Sequence, residues 1–115
     1  MKKTSAGLQT LKAEFFGALA HPARIRLLEA LIDAGETSVQ DLQRRLGIDQ
    51  PIVSQQLAKL RASGIVTSKK QGSSTLYEVA DPMIGDLLRV AKQILNRHLV
   101  GVKSLLRELV VDQRR

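Results

Sequence analysis

With 115 residues, 43% of them hydrophobic, the chain can build one domain with its own core rather than a disordered segment. Aromatic residues are only 3% of the chain, so that core is aliphatic, and a net charge of +7 favours a polyanionic partner. Cysteine is absent, which excludes a thiolate metal site, a disulfide switch and a thiol redox sensor; no apolar run nears a membrane span and no signal peptide is visible, so a cytoplasmic location without a membrane partner is expected.

Met1 to Gly7 is short, polar and basic, and is expected to fray. Leu8, Leu11, Phe15 and Leu19 recur at helical spacing, with Phe16 widening the apolar face, so a first helix is expected over 8–20. His21-Pro22 breaks it. Pro22 opens a second helix, whose buried side is expected to be Ile25, Leu27, Leu28, Leu31 and Ile32 and whose end is Ala34-Gly35. His21 is read as a capping or packing residue at this junction, not as a functional imidazole.

Ser38 can cap a third helix, with Asp41 three residues on as a weak capping-box partner. Val39, Leu42 and Leu46 form its apolar stripe, and Gly47 stops it. Asp49 or Gln50 caps the next helix, with Pro51 in the first turn, where a missing N–H costs nothing. Val53, Leu57 and Leu60 point into a core. Pro51, Ser54, Gln55 and Ala58 fall on the opposite side, flanked by Lys59, on a small polar face without an acidic residue. Such a face can lie in a major groove, where Gln and Ser read base edges.

Ser63-Gly64 ends that helix. The β-rich runs Ile65-Val66-Thr67 and Thr75-Leu76-Tyr77-Glu78-Val79 flank Lys69-Lys70-Gln71-Gly72-Ser73-Ser74, a hairpin with a Gly-containing turn and a lysine pair near its tip. Helix, turn, helix and basic hairpin together make a winged helix, with wing lysines on phosphate or beside the minor groove. Two short amphipathic helices occur in many all-α cores, and a lysine pair alone is usually a solvated loop; their order and spacing carry the reading. From Gln40 to Thr75 there are six Lys/Arg against two Asp, an excess of four. Tyr77 aside, the segment lacks the aromatics of a single-strand or RNA platform.

From Asp81-Pro82 the chain reads as one long helix over 82–111. Ile84, Leu88, Ala91, Leu95, His98, Val102, Leu105 and Leu109 alternate by four and three, a heptad seam. A second stripe of Met83, Leu87, Val90 and Ile94 is expected to face the chain's own core. The seam then pairs with a second subunit, helped by Leu11 and Phe15 of the first helix. A two-fold dimer would set two recognition helices on an inverted-repeat operator, one helical turn of about 34–36 Å apart.

Residues 15–79 resemble the ArsR/SmtB family of bacterial winged-helix transcriptional regulators. The matching stretches are Ala18-Leu19-Ala20-His21-Pro22-Ala23-Arg24-Ile25-Arg26-Leu27-Leu28, Asp41-Leu42 with Leu46-Gly47, Gln50 with Val53-Ser54-Gln55-Gln56-Leu57 and Leu60-Arg61, and Gly64-Ile65-Val66 with Tyr77. The resemblance implies a dimer through the terminal helices. In thiolate-sensing members the stretch Glu-Leu-Cys-Val-Cys-Asp-Leu binds soft metals. Here it is Glu36-Thr37-Ser38-Val39-Gln40-Asp41-Leu42, with serine and glutamine in place of both cysteines.

His98 is the unexpected residue on the seam. One reading is a histidine hydrogen-bonded at a partly wet interface. The sharper reading is a switch, in which His98 meets its symmetry mate and senses protons or seeds a nitrogen/oxygen site for nickel, zinc or cobalt. The family's terminal-helix metal site pairs Asp-x-His with a later His and an acid; here Asp86 is followed by Leu87-Leu88, and His98 stands alone. No conventional metal site and no cofactor are therefore expected.

No Gly-rich phosphate loop or Cys/His nucleophile pair is present, so an enzyme is not expected. A pure protein-interaction module competes, but a vestigial reading face need not stay free of acids. The expected architecture is mainly α with a small β-hairpin: a single winged-helix domain over 1–115, of about five helices and a two-stranded wing over 65–79, with a DNA-binding core over 22–79. The expected function is a homodimeric repressor of double-stranded DNA on an inverted repeat. Gln55 and Ser54 are assigned to base edges, with Gln50 at the helix start beside Pro51; Lys59, Arg61, Lys69 and Lys70, with Ser73 at the wing tip, are assigned to the backbone. The alternatives are a metal-responsive regulator with a nonstandard site, or one controlled by a partner protein; a small effector is left open.

Overall fold

The computed structural model describes the backbone of residues 2–114 and the side chains of residues 7–109. In chain order the elements are α1 (Lys2–Leu19), α2 (Pro22–Ala34), β1 (Thr37–Ser38), α3 (Val39–Leu46), α4 (Gln50–Ala62), β2 (Val66–Gln71), β3 (Ser74–Val79) and α5 (Met83–Arg114). The chain divides at Pro82 into two units, the first holding α1 to β3 and the second α5.

In the first unit, α2, α3, α4 and the sheet close around Leu27, Leu28, Leu31, Leu42, Val53, Leu57, Leu60, Ile65 and Val66, all buried to 1% exposure or less. This is the aliphatic core that the composition requires, and each such side chain contributes about 1.5–3 kcal/mol by burial. Three residues depart from the expected α2 face: Ile32 is 43% exposed and Ile25 only half-buried, while Ala30 is buried. The buried residues Leu27, Leu28, Ala30 and Leu31 centre between Leu27 and Leu31, and at about 100° per residue Ile32 and Ile25 lie roughly 120–140° from that centre.

The helix ends follow their local chemistry. The Nδ1 atom of His21 accepts a hydrogen bond from the Ala23 backbone N–H at 3.1 Å, and Pro22 follows in the first turn. His21 is thus a helix cap, as its place before Pro22 suggested. Ser38 Oγ accepts from Asp41 N–H at 3.2 Å, capping α3. Gly47 ends α3 in the left-handed region at φ 65°, where a side chain would be strained, and its N–H reaches Gln43 O at 2.8 Å. Two arginines of α2 satisfy carbonyls at the C-terminal ends of other helices. Arg24 donates to Ala18 O of α1 at 2.9 Å, and Arg26 to Leu46 O of α3 at 2.7 Å.

The sheet has three antiparallel strands in the order β1-β3-β2, one more than the expected hairpin. Thr37 pairs with Tyr77 and Ser38 with Leu76. A strand of two residues carries no periodicity of its own, so it is invisible until the partner strand is in place. The hairpin strands are also longer than expected: Lys69 lies opposite Leu76, Lys70 opposite Thr75 and Gln71 opposite Ser74. Only Gly72 and Ser73 remain for the turn. Gly72 has φ 63° and, among the described residues, no non-glycine residue has positive φ, which fits a two-residue hairpin turn with glycine first.

Helix α1 starts at Lys2, well before the expected Leu8. In the second unit, α5 runs unbroken over 32 residues. Its covered positions differ from expectation. Ile84, assigned to the intersubunit seam, is buried, whereas Met83, Val90 and Ile94, assigned to the chain's own core, are exposed. Periodicity identifies two stripes a helix can present but does not say which of them is covered.

Candidate nucleic-acid interface

Helix α4 turns one side to the core and the other to solvent. Val53, Gln56, Leu57 and Leu60 are buried, while Gln50, Pro51, Ser54, Gln55, Ala58, Lys59 and Arg61 are exposed. At about 100° per residue, Pro51, Gln55 and Ala58 lie opposite the buried stripe. Lys59 borders them on one edge, and Ser54 with Arg61 on the other. The outward face is therefore a row of small and amide groups between two cations, narrow enough for a major groove and able to donate and accept hydrogen bonds there.

Gln55 and Gln56, adjacent in sequence, have opposite fates. Gln56 is 6% exposed and its Oε1 accepts from Arg24 Nε at 2.8 Å. Since Arg24 also holds Ala18 O, one guanidinium ties the end of α1 to the middle of α4. With Val53, Leu57 and Leu60 in the core, this bond holds the same side of α4 inward and leaves Gln55 outward. Nothing in the sequence pairs Arg24 with Gln56, 32 positions apart. The burial of Gln56 does have a signal, because Gln56 falls three residues after Val53 and one before Leu57, on the buried side.

The six cations between Gln40 and Thr75 divide evenly. Arg44 is paired with Asp41 at 3.7 Å, Arg45 with Asp33 at 3.4 Å and Lys69 with Glu36 at 2.9 Å. Lys59, Arg61 and Lys70 form no ion pair among the described residues. The three unpaired cations border the reading face of α4 or sit on the wing. Glu36 accepts a hydrogen bond from the Lys69 ammonium, and together with its charge this raises the Lys69 pKa above the usual lysine value. Ser73 is exposed in the wing turn.

On α5, Leu95, Leu99, Val100, Leu105, Leu106 and Leu109 are all at least half exposed. His98 is exposed among them, Leu88 and Val102 are half-buried, and on α1 Leu11 is exposed and Phe15 half-buried. Among the described residues no three His, Asp or Glu side chains come together in a metal-binding group. No described helix is long and apolar enough to cross a membrane.

This arrangement, a capped helix-turn-helix followed by a basic wing, is that of winged-helix regulators. Residues 21–68 match the family described as bacterial regulatory protein, arsR family. The chain is 41% identical over 105 residues to Rv0081 of Mycobacterium tuberculosis (strain H37Rv), an uncharacterized HTH-type transcriptional regulator, covering 91% of this chain and 92% of that one. The crystal structure of Rv0081 superposes with a TM-score of 0.74 at 44% identity, over 82% of this chain and 94% of that chain. The homodimeric winged helix-turn-helix DNA-binding domain of Mb0332 from Mycobacterium bovis gives a TM-score of 0.74 at 25% identity, over 83% and 87%. A probable mercury resistance operon repressor of Streptomyces lividans is 38% identical over 80 residues, 70% of this chain and 63% of that one. The chain belongs to the arsR family of bacterial regulatory proteins and is a DNA-binding transcriptional regulator, not an enzyme.

Proposed function

We propose that two copies of this chain bind an inverted-repeat operator and repress the promoter it overlaps. Gln55 and Ser54 read base edges, Gln50 and Pro51 seat the start of α4, and Lys59, Arg61 and Lys70 neutralise phosphates, with Ser73 at the wing tip. The exposed apolar positions of α5, helped by α1, hold the two copies together. The observation that carries this is the outward face of α4, free of acids and bordered by cations that form no ion pair among the described residues. Dimerisation has the support of the homodimeric M. bovis neighbour, and repression that of the S. lividans relative.

The test is fluorescence anisotropy on duplex DNA from upstream of the chain's own gene, across a salt series. Three unpaired cations per protomer, six per dimer, give an expected slope of log K against log salt of roughly −5. Binding that ignores salt overturns the phosphate assignment. A protein that runs as a monomer at the concentrations where it binds overturns the two-fold reading.

A further inference from the structure

We propose that Glu36 is an internal competitor for the wing cation Lys69, holding it from the phosphate backbone and so lowering affinity for all DNA without changing sequence preference. This rests on the DNA-binding reading above and adds a determinant that lies outside both α4 and the wing.

The sheet register brings the two residues together. Lys69 of β2 lies opposite Leu76 of β3, and Leu76 lies opposite Ser38 of β1. Side chains alternate along a strand, so Glu36, two residues before Ser38, stands on the same face as Leu76 and Lys69. Glu78, two residues beyond Leu76, shares that face. Glu36, Lys69 and Glu78 line one shallow depression with Thr67, Ser68 and Leu76. Within it the Lys69 ammonium lies 2.9 Å from the Glu36 carboxylate. The Lys69 side chain remains 63% exposed, so it is a surface cation whose charge is already matched rather than a buried one.

The consequence is electrostatic. A lysine gains affinity for DNA by releasing a counterion condensed on the phosphates. When Lys69 moves to a phosphate it gives up its 2.9 Å pair with Glu36, so one ion pair is exchanged for another and the exchange yields little. The neighbouring Lys70 provides the contrast. It lies on the same strand, alternation turns it to the other face, and it has no ion pair among the described residues. Two adjacent lysines of a basic wing are thus unequal, and the difference originates 33 positions away in sequence.

The experiment is a double-mutant cycle on the full chain: wild type, Glu36→Gln, Lys69→Gln and both together. Each is titrated at several salt concentrations with the operator duplex and a scrambled duplex of equal length. Glu36→Gln is expected to tighten both duplexes alike, by about tenfold for a dimer near 0.15 M salt, and to steepen the salt slope by roughly 2, one for each freed lysine. Lys69→Gln is expected to stay within about twofold of wild type, and the double variant to match Lys69→Gln. Three results overturn the proposal. Glu36→Gln leaves affinity and slope unchanged; or it tightens binding equally without Lys69, which makes the effect bare repulsion; or it weakens binding, which makes the pair a brace for the wing. The wild-type series separates this from the parent reading: salt-insensitive wild-type binding removes both, whereas a steep wild-type slope with a silent Glu36→Gln removes only this one.

Discussion

Helices α4 and α5 both present exposed surface, and the two surfaces are opposite in character. On α4 the exposed positions are amides, hydroxyls and cations, with Ile52 the only large exposed hydrophobic residue. On α5, nine large hydrophobic residues from Met83 to Leu109 are exposed. A scattered apolar residue on a surface needs no explanation, but a run of this length along one helix marks an interaction face. The polar face can exchange its water for base edges and phosphates and still satisfy its groups. The apolar face gains only by being covered. The proposed division, α4 to a polyanion and α5 to a second copy of the chain, rests on this difference.

The largest expected effect comes from destroying the α5 side of this contrast. Leu95→Glu with Leu105→Glu puts like charges on the proposed seam while keeping strong helix formers in place. Sedimentation should then show a monomer with unchanged helical content. Operator affinity should fall by 10²-fold or more, because two linked half-site contacts become independent. A variant that still sediments as a dimer places the interface elsewhere on the chain.

On α4 the expected losses are smaller and differ in kind. Gln55→Ala should cost about 1–3 kcal/mol per half-site on the operator and relax preference at one base position, with scrambled DNA barely affected. Unchanged discrimination removes direct readout by Gln55. Lys59→Ala should weaken operator and scrambled DNA alike, several-fold per half-site, and flatten the slope by about 1 per protomer. If Lys59→Ala weakens the operator alone, the cation reads sequence and the division of labour on this face is wrong.

The same contrast explains what could be read from the residues alone. The helix-turn-helix is encoded locally: Ser38 caps three residues before Asp41, Gly47 takes positive φ, and Val53, Leu57 and Leu60 repeat at helical spacing. Each signal spans a few residues and survives any change in the surroundings. What escaped depends on pairs far apart in sequence. The Thr37–Tyr77 bridge adds a strand to the wing, and Glu36 occupies Lys69, although neither residue signals its partner. The Arg24–Gln56 bond lies between these cases, since the burial of Gln56 was readable but its partner was not. On α5 periodicity marks two stripes without distinguishing them: Ile84 is buried and Met83 exposed, although both lie on regular stripes.

The smallest expected effect concerns His98, exposed on α5 among the apolar side chains. A structural zinc site takes four ligands, and a catalytic one at least three from the protein. Within one chain no three candidate ligands come together among the described residues. A two-fold through the seam that brings His98 to its mate gives two nitrogen donors. Nickel, zinc or cobalt should therefore leave operator affinity within about twofold, and His98→Ala should leave the metal response as it was. If one metal shifts affinity and His98→Ala abolishes the shift, the α5 surface holds metal as well as a second subunit. The contrast with α4 would then lie between a surface that reads DNA and one that senses a signal.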